Sequence, residues 1–213
     1  MTPEKTVARL SLYRRFLKLM RDEGAHSVYS HQLADMVRIT PAQVRRDLMV
    51  IGYSGNPQKG YDVNLLIKHI DDFFNVSESV NVVVVGIGNV GRAMLSYFRN
   101  GKSHINVIAG FDTDPNKVDR VINNCPCYHL EQLPEIVKQN NIKTGILTVP
   151  ATEAQNIANI MVESGIKGLL NFAPTRLKLS SDIFIEDVDI TMHLEKVAYF
   201  SSGKQKKIGG KNV

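Results

Sequence analysis

Apolar residues in the first part of the chain recur at three- and four-residue spacing, which is typical of amphipathic helices. The first predicted helix spans Val7–Arg21, and Gly24 prevents it from continuing. Shorter helices are predicted over His31–Val37, where Ser30 can serve as the N-cap, and over Leu65–Phe74. Short helices joined by short turns favour a helix-turn-helix.

The segment Thr40–Ile51 (TPAQVRRDLMVI) contains the clearest helix start in the chain. Thr40 is a favourable N-cap, and Pro41 suits the first helical position because its φ is already set. Gln43 has the spacing that completes a capping box. We therefore predict a third helix that begins directly after Thr40.

This third helix is apolar on one side and suited to nucleic acid on the other. The predicted buried stripe is formed by Val44, Leu48 and Ile51. The opposite side carries Ala42, Gln43, Arg45 and Arg46. Arginine can bind guanine or phosphate, and glutamine can read adenine. We predict a recognition helix in the major groove, with DNA contacts from Thr40, Gln43, Arg45 and Arg46; a solvated arginine face on a structural three-helix bundle is the alternative.

Residues 52–60 (GYSGNPQKG) are rich in glycine, asparagine and proline, which indicates a hairpin tip. Its position directly after the third helix predicts the wing of a winged helix. Lys59 is the only charge in this stretch and is predicted to contact DNA. We place the domain boundary near Asn75–Ser79, so that residues 1–78 form a winged-helix DNA-binding domain.

From Asn81 onwards, apolar runs of strand length alternate with helical segments, which predicts a parallel sheet covered by helices. The predicted strands are Val82–Val85, Ile105–Phe111, Thr144–Val149, Ile166–Phe172 and Asp187–Ile190. The predicted helices are Arg92–Phe98, Leu130–Gln139, Thr152–Ser164 and Met192–Phe200. The predicted fold class is α/β: an N-terminal winged helix-turn-helix domain, a Rossmann-type parallel sheet domain at 79–191, and a C-terminal helix and basic tail at 192–213. The tail lacks a core face and is predicted to be disordered.

A glycine motif follows the four valines of the first sheet strand. Gly86, Gly88 and Gly91 give G-x-G-x-x-G between a predicted strand and a predicted helix, the context of a dinucleotide pyrophosphate site. Asp112 follows 21 residues after Gly91, at the end of the next strand, where a carboxylate can accept hydrogen bonds from an adenosine ribose. The sequence therefore predicts NAD(H) as cofactor.

The ends of the later strands should also line the ligand crevice. They supply Thr148, Val149, Pro150, Asn171 and Phe172, which we expect near the nicotinamide end of the dinucleotide. These side chains include no carboxylate, lysine or histidine for general acid–base catalysis, so no catalytic residue is predicted and the protein is predicted not to be an enzyme.

Composition supports a reduced, cytoplasmic protein with an anionic partner. Residues 1–76 carry 11 Lys or Arg against 8 Asp or Glu, while the whole chain has a net charge of +5. A basic N-terminal part is consistent with nucleic acid. Cys125 and Cys127 are the only cysteines; we expect them in a surface turn, and no metal site is predicted. No apolar run is long enough to cross a membrane.

Taken together, these segments resemble the Rex family of bacterial redox-sensing transcriptional repressors. The matching stretches are TPAQVRRDL at 40–48, GIGNVGRA at 86–93, FDTDPNKV at 111–118, ILTVPA at 146–151, GIKGLLNFAP at 165–174 and VDIT at 188–191. The resemblance implies a repressor that binds double-stranded operator DNA as a homodimer, with the C-terminal helix exchanged between subunits. It further implies sensing of the NADH/NAD+ ratio, with release from DNA by NADH.

The resemblance also implies residue roles. It assigns the phosphate loop to Gly86, Ile87, Gly88, Asn89, Val90 and Gly91, with the ribose position at Asp112. Arg15, Tyr97 and Asp189 are implied in coupling the nicotinamide to the DNA-binding domain. The chain departs from the family pattern after the recognition helix, where it has Ile51 in place of a phenylalanine and a wing with Pro57 and one lysine.

Two other functions fit parts of the sequence. An NAD-dependent dehydrogenase with a small accessory domain would use His193 as its candidate acid or base, although that residue follows the last strand. A coenzyme-A-binding ligase subunit would use the same Rossmann fold, but it would leave Thr40–Ile51 without a purpose.

Overall fold

The structure, a computed structural model, describes residues 2–56, 58–75, 79–98 and 104–202. Its contacts divide the chain into two compact units, Met1–Glu78 and Ser79–Val213. Pro57 of the predicted wing, residues 76–78 of the predicted boundary, and residues 203–213 of the predicted disordered tail lie outside the described residues.

The described residues of the first unit form four helices and a two-stranded ladder. Its elements are α1 (Glu4–Asp22), β1 (Ser27–Val28), α2 (Ser30–Val37), α3 (Pro41–Val50), β2 (Tyr61–Asp62) and α4 (Val63–Phe73). The antiparallel pairing of Val28 with Tyr61 brings the chain before α2 beside the chain after the wing. Two strands of two residues each carry no periodicity, so the sequence did not predict this ladder.

The third helix begins as predicted. The Thr40 hydroxyl accepts a hydrogen bond from the Gln43 backbone N–H at 3.2 Å, and Pro41 is the first helical residue. Val44 and Leu48 are completely buried in the core of the unit, and Ile51 packs against its edge. The prediction for Ser30 was wrong: it is the first residue of α2, and Tyr29 occupies the N-cap and donates its N–H to the Gln32 side chain at 2.8 Å.

In the part that the structure describes, the second unit is a seven-stranded, mostly parallel sheet with four α-helices, three of which connect strands of the sheet. Its elements are β3 (Val80–Val85), α5 (Asn89–Phe98), β4 (Ile105–Asp112), β5 (Arg120–Ile122), β6 (Cys125–His129), α6 (Leu133–Gln139), β7 (Thr144–Leu147), α7 (Ala151–Glu163), β8 (Gly168–Asn171), β9 (Phe184–Asp187) and α8 (Ile190–Ser201). A single 3-10 turn, Leu130–Gln132, precedes α6.

The strand order is β5-β6-β4-β3-β7-β8-β9. Among these described strands, β5 is antiparallel to its neighbour and the others are parallel to theirs. Without β5, this is the doubly wound Rossmann order, in which the direction of winding reverses between β3 and β7. β3 lies at the centre of the sheet, and its residues Val82–Val85 are buried as the valine run predicts. A ligand crevice is expected where the loops after β3 and β7 separate.

The hairpin β5–β6 corrects the prediction for the cysteines. The turn between the strands contains Asn123 and Asn124 with φ of 51° and 63°. Cys125 and Cys127 lie on β6 and are 5% and 1% exposed, so they belong to the core rather than to a surface turn. Burial raises the pKa of the Cys125 thiol to about 12, which keeps it protonated and unreactive at neutral pH.

The end of the chain differs from the predicted strand at Asp187–Ile190. The strand β9 lies earlier, at Phe184–Asp187, and pairs with β8. Asp189 is the N-cap of α8, and its carboxylate accepts from the Met192 N–H at 2.8 Å. No residue of α8 is buried within the described chain. The large apolar residues that this helix exposes are Ile190, Met192, Leu194, Val197, Tyr199 and Phe200.

Candidate functional site

The glycine loop after β3 is shaped by close backbone contacts. Gly86 has φ of 96°, and a Cβ there would lie 2.7 Å from the Thr148 carbonyl oxygen. A Cβ at Gly91 would lie 2.0 Å from the Gly86 carbonyl oxygen, so only glycine lets the helix lie this close to the loop. A Cβ at Gly88 would have no atom within 4 Å, which leaves open space for a ligand.

The helix α5 starts at Asn89, three residues before the predicted start at Arg92. Asn89, Val90 and Gly91 therefore form its first turn, where backbone N–H groups have no acceptor within the helix. These N–H groups and the positive end of the helix dipole suit a phosphate. The loop and the helix thus have the backbone features that the motif predicts for a pyrophosphate site.

Asp112, the last residue of β4, is fixed by the loop and by its own turn. Its Oδ2 accepts from the Ile87 N–H at 2.7 Å, and its Oδ1 accepts from the Thr113 and Asp114 N–H groups at 2.9 Å each. Burial alone would raise the pKa of Asp112, but these hydrogen bonds and Lys117 lower it below its ordinary value. Asp112 is therefore a carboxylate across the neutral pH range.

A cleft of about 310 Å³ opens at the carboxyl ends of β3, β4 and β7. Predicted site residues in its lining are Gly86, Gly88, Asp112, Thr148, Val149 and Pro150. The lining also includes Val85, Thr113, Lys117, Leu130, Glu153 and Ile157, which sequence reasoning missed. Residues 148–150 thus share a cleft with Asp112, the predicted ribose position, whereas the sequence prediction put them near the nicotinamide.

The lining of this cleft does not include Ile87, Asn171 or Phe172, which were predicted to bind the cofactor. The Ile87 side chain is completely buried, and only its N–H points to Asp112. Asn171 is 1% exposed, and its amide donates to the Thr175 carbonyl at 3.0 Å and to Asp187 Oδ1 at 2.8 Å. Phe172 packs partly buried against the core. The Asn171 side chain is thus committed to fixing the loop after β8 and the neighbouring strand.

The DNA-binding candidates lie on the exposed part of α3 and on the wing. Arg45 donates to the Ser30 hydroxyl at 3.1 Å, which directs its side chain toward the start of α2. Arg46 is exposed. Lys59 is exposed on the wing, where Asn56 Oδ1 accepts from the backbone N–H groups of Gln58 and Lys59 at 2.8 and 3.1 Å.

The Gln43 side chain does not complete the predicted capping box. Its Nε2 donates to Asp47 Oδ1 at 2.9 Å, one turn further along α3. A bond to Asp47 still leaves Gln43 with an amide oxygen and a second N–H for a base edge. Gln43 is therefore less free than Arg45 and Arg46 to adjust to DNA.

Asp47 is the centre of a buried polar cluster that sequence reasoning missed. It is 1% exposed and accepts from Arg9 Nε at 2.6 Å, Arg9 Nη2 at 2.8 Å, the Tyr13 hydroxyl at 2.9 Å and the Thr6 hydroxyl at 3.2 Å. Burial opposes ionisation, but the hydrogen bonds from Arg9, Gln43 and Tyr13 lower the pKa of Asp47 overall. The cluster fixes α3 against α1. The three-residue spacing from Val44 places Asp47 beside the buried stripe, but it does not indicate the partners on α1.

The predicted coupling residues lie in different units. Arg15 is exposed on α1, with its guanidinium carbon 5.4 Å from the centre of the Phe16 ring. Tyr97 is 75% exposed on α5 and packs edge-on against Phe98. The Asp189 carboxylate caps α8. Pairing of Asp189 with Arg15 or Tyr97 stays a prediction.

Within the described ranges, no group of three or more His, Cys, Asp or Glu residues is placed to hold a metal ion. Among the helices in the described part of the chain, none has the length and apolar character needed to cross a bilayer.

Family models match both halves of the chain. Residues 2–48 match the model of a putative DNA-binding protein N-terminus, and residues 77–175 match that of a CoA binding domain. The second match overlaps the sheet strands and the glycine loop, which is the part of the chain that a coenzyme-A-binding subunit would share.

Curated relatives match nearly the whole chain. The redox-sensing transcriptional repressor Rex of Listeria monocytogenes is 36% identical over 93% of this chain and 92% of its own. The protein of the same name from Desulforamulus reducens is 38% identical over 96% of this chain and 97% of its own.

Solved structures agree with these relatives. The crystal structure of RSP, a Rex-family repressor, superposes with a TM-score of 0.85 at 27% identity and covers 96% of both chains. The structure of RSP with β-NAD+ and operator DNA gives a TM-score of 0.88 at 28% identity, covering 96% of this chain and 94% of that one. Another structure of RSP contains β-NADH. On this identity and coverage, the chain belongs to the Rex family of redox-sensing transcriptional repressors.

Proposed function

We propose that this protein is a transcriptional repressor that binds operator DNA as a homodimer and is released from it by NADH. One observation carries the proposal: a winged-helix unit with a capped, arginine-bearing helix and a Rossmann unit with a dinucleotide cleft occur in one chain. Rex repressors match this whole arrangement, and titles of the related structures name NAD+, NADH and operator DNA as ligands.

The cofactor is NAD(H), held by the loop Gly86–Gly91 and by Asp112. The first turn of α5 binds the pyrophosphate, and the Asp112 carboxylate accepts from the ribose. Val149, Leu130 and Ile157 supply an apolar slot of the kind that an adenine ring fills. The nicotinamide lies beyond this cleft, toward the loop that follows Asn171.

The DNA contacts are Arg45 and Arg46 on α3, supported by Thr40, Gln43 and Lys59. An arginine near the start of a recognition helix binds guanine or phosphate. Since the wing offers a single lysine, α3 supplies most of the specific contacts. The related proteins are regulators by name, so NAD(H) here is a signal and no catalytic residue is assigned.

The homodimer forms through α8. Its row of exposed apolar side chains is characteristic of an interface, because a helix without a buried face is not stabilised by packing within its own unit. Arg15, Tyr97 and Asp189 couple the nicotinamide to the DNA-binding units. A repressor of this kind acts where the bacterial chromosome lies, which places it in the cytoplasm.

Selection of bound sequences from a random pool of double-stranded DNA, with and without NADH, tests the proposal. The expected result is a two-fold symmetric operator that is enriched without NADH and lost with it, because a symmetric dimer reads two half-sites. Enrichment of no sequence, or of the same sequence to the same extent under both conditions, would contradict it.

A further inference from the structure

The ribose end of the cleft contains a positive charge that the glycine motif does not require. Lys117 Nζ lies 3.2 Å from Asp112 Oδ2 and 3.5 Å from Asp114 Oδ2. In Rossmann domains, a carboxylate at this position accepts from the ribose 2′-hydroxyl of NAD, whereas a basic residue nearby accommodates the 2′-phosphate of NADP. This chain places both kinds of group at the same point.

Asp114 can keep that ammonium beside the ribose when Asp112 accepts from the ribose hydroxyl. A carboxylate has about four acceptor sites, and here they receive three backbone N–H groups and Lys117. The backbone donors are fixed by the loop and the turn, while Lys117 has a flexible side chain. A ribose hydroxyl that donates to Oδ2 takes the place of Lys117, and Asp114 Oδ2 is close enough to retain the ammonium.

The local charge balance decides how strongly a 2′-phosphate is repelled. Asp112, Asp114 and Lys117 together carry a net charge of −1, which becomes −2 if Lys117 is made neutral. The side chains of Asp112 and Lys117 are 11% and 25% exposed, so solvent screens their interactions only in part. Glu153, which also lines the cleft, adds a further negative charge.

We propose that Lys117 is a specificity-determining residue of the cofactor site, and that its ammonium moderates the rejection of 2′-phosphorylated dinucleotides by Asp112. The protein accordingly prefers NADH to NADPH by a smaller factor than Asp112 alone would give. This inference rests on the proposed function, because it requires that the cleft bind the adenosine half of NAD(H).

The test measures Kd for NADH and NADPH with the full-length protein by calorimetry or by competition. Lys117→Met is expected to raise the ratio Kd(NADPH)/Kd(NADH) on the order of tenfold, since a 2′-phosphate loses one nearby positive charge. Any effect of the substitution on binding of the pyrophosphate changes both Kd values equally, so it does not change the ratio. Lys117→Arg should keep the ratio within about threefold of the unmodified value. Lys178→Met, which removes an exposed lysine elsewhere in the same unit, is the control for net charge.

A second pair of variants covers the case in which unmodified protein binds NADPH too weakly to measure. Asp112→Asn should bind NADPH measurably, and adding Lys117→Met to it should again raise the ratio on the order of tenfold. A ratio that Lys117→Met leaves unchanged in both backgrounds would overturn the inference. If NADH still binds and releases DNA in that event, the proposed function stands and only the role of Lys117 is wrong. Failure of unmodified protein to bind NADH would overturn both.

Discussion

Asp47 fixes the position of the DNA-binding helix, although it is not itself exposed to DNA. Its carboxylate receives hydrogen bonds from α1 through Arg9, Tyr13 and Thr6, and from α3 through Gln43. Removing one partner of a buried ion pair leaves the other without compensation. The orientation of Arg45 and Arg46 thus depends on a residue that faces the opposite side of the helix.

Replacement of Asp47 by asparagine should destabilise the first unit by about 3 kcal/mol. The substitution should also change how the free energy of unfolding depends on pH in the acid range. The pKa of Asp47 is lowered on folding, so its stabilisation is present above its unfolded pKa and is lost as the pH falls through the folded value. Denaturant unfolding between pH 2 and 7 should show this loss in unmodified protein and a flatter profile in Asp47→Asn.

Asp22→Asn is the matched control, since Asp22 pairs with Arg21 at the surface and should contribute within about 0.5 kcal/mol. Equal unfolding free energies and equal acid profiles for unmodified protein and Asp47→Asn would show that the cluster does not hold α3.

Both arginines of α3 should contribute to DNA binding. Arg45→Ala and Arg46→Ala should each weaken operator binding by about 1–3 kcal/mol if the side chain reads a base, without changing NADH affinity. A side chain that contacts only phosphate should instead reduce the salt dependence of binding. Operator titrations at several salt concentrations distinguish these roles, with Arg38→Ala, outside the helix, as the control. Unchanged operator affinity in both variants would refute the recognition helix.

The glycine loop and α5 pack against each other through Gly86 and Gly91. Gly91→Ala places a methyl group 2.0 Å from the Gly86 carbonyl oxygen, so the loop and the helix must separate. We expect loss of both thermal stability and NADH binding. Gly88→Ala meets no protein atom within 4 Å, so it should keep the melting temperature and lose NADH binding only. Thermal unfolding and NADH titration of both variants provide the measurement; NADH binding by Gly88→Ala at full affinity would argue against a pyrophosphate at the loop.

The sequence predicted elements well where the pattern was long and local. The valine run of β3, the alternation of strands and helices, and the cap at Thr40 depend on neighbouring residues, and the structure confirms them. The sequence placed the start of α5 too late because Gly91, in the first turn, is a poor helix former. Glycine occupies this position because the loop lies too close for any larger residue. The hairpin β5–β6 was missed because its strands are short and contain Pro126.

Two contributors to the proposed sites could not be read from local patterns. Asp47 binds Arg9, which lies 38 positions away in the sequence. Lys117 is five residues from Asp112, but the Asp112 carboxylate is fixed by Ile87 in the loop after β3, 25 positions away. A charge on a helix or in a turn is usually solvated, so only the tertiary structure separates these residues from the others. The comparisons confirm the family that the motifs predicted.

At the scale of the whole molecule, the exposed face of α8 should hold two subunits together. Leu194→Ser removes one of its large apolar side chains, which is 66% exposed in the single chain. We expect this variant to dissociate at lower concentration and to bind a two-half-site operator more weakly, because each subunit then binds alone. Glu195→Ser, on the same helix, is the control. Sedimentation of both variants measures the effect; an unchanged dimer in Leu194→Ser would exclude this face as the interface.

We propose that the redox state of the nicotinamide controls DNA binding. NADH and NAD+ share the adenosine half, so the proposed site at Asp112 should not distinguish them. A difference can arise only from unequal affinity of the two nicotinamides for DNA-bound and free protein. Linkage then requires operator DNA to weaken NADH binding by the factor by which NADH weakens DNA binding.

The most direct measurement is operator affinity as a function of the NADH/NAD+ ratio at constant total dinucleotide, in unmodified protein, Arg15→Ala and Tyr97→Phe. We expect NADH to release unmodified protein from the operator and NAD+ to release little of it. Arg15→Ala should bind DNA more weakly, and Tyr97→Phe should respond less to NADH. Tight NADH binding that leaves operator affinity unchanged at every ratio would contradict the proposal.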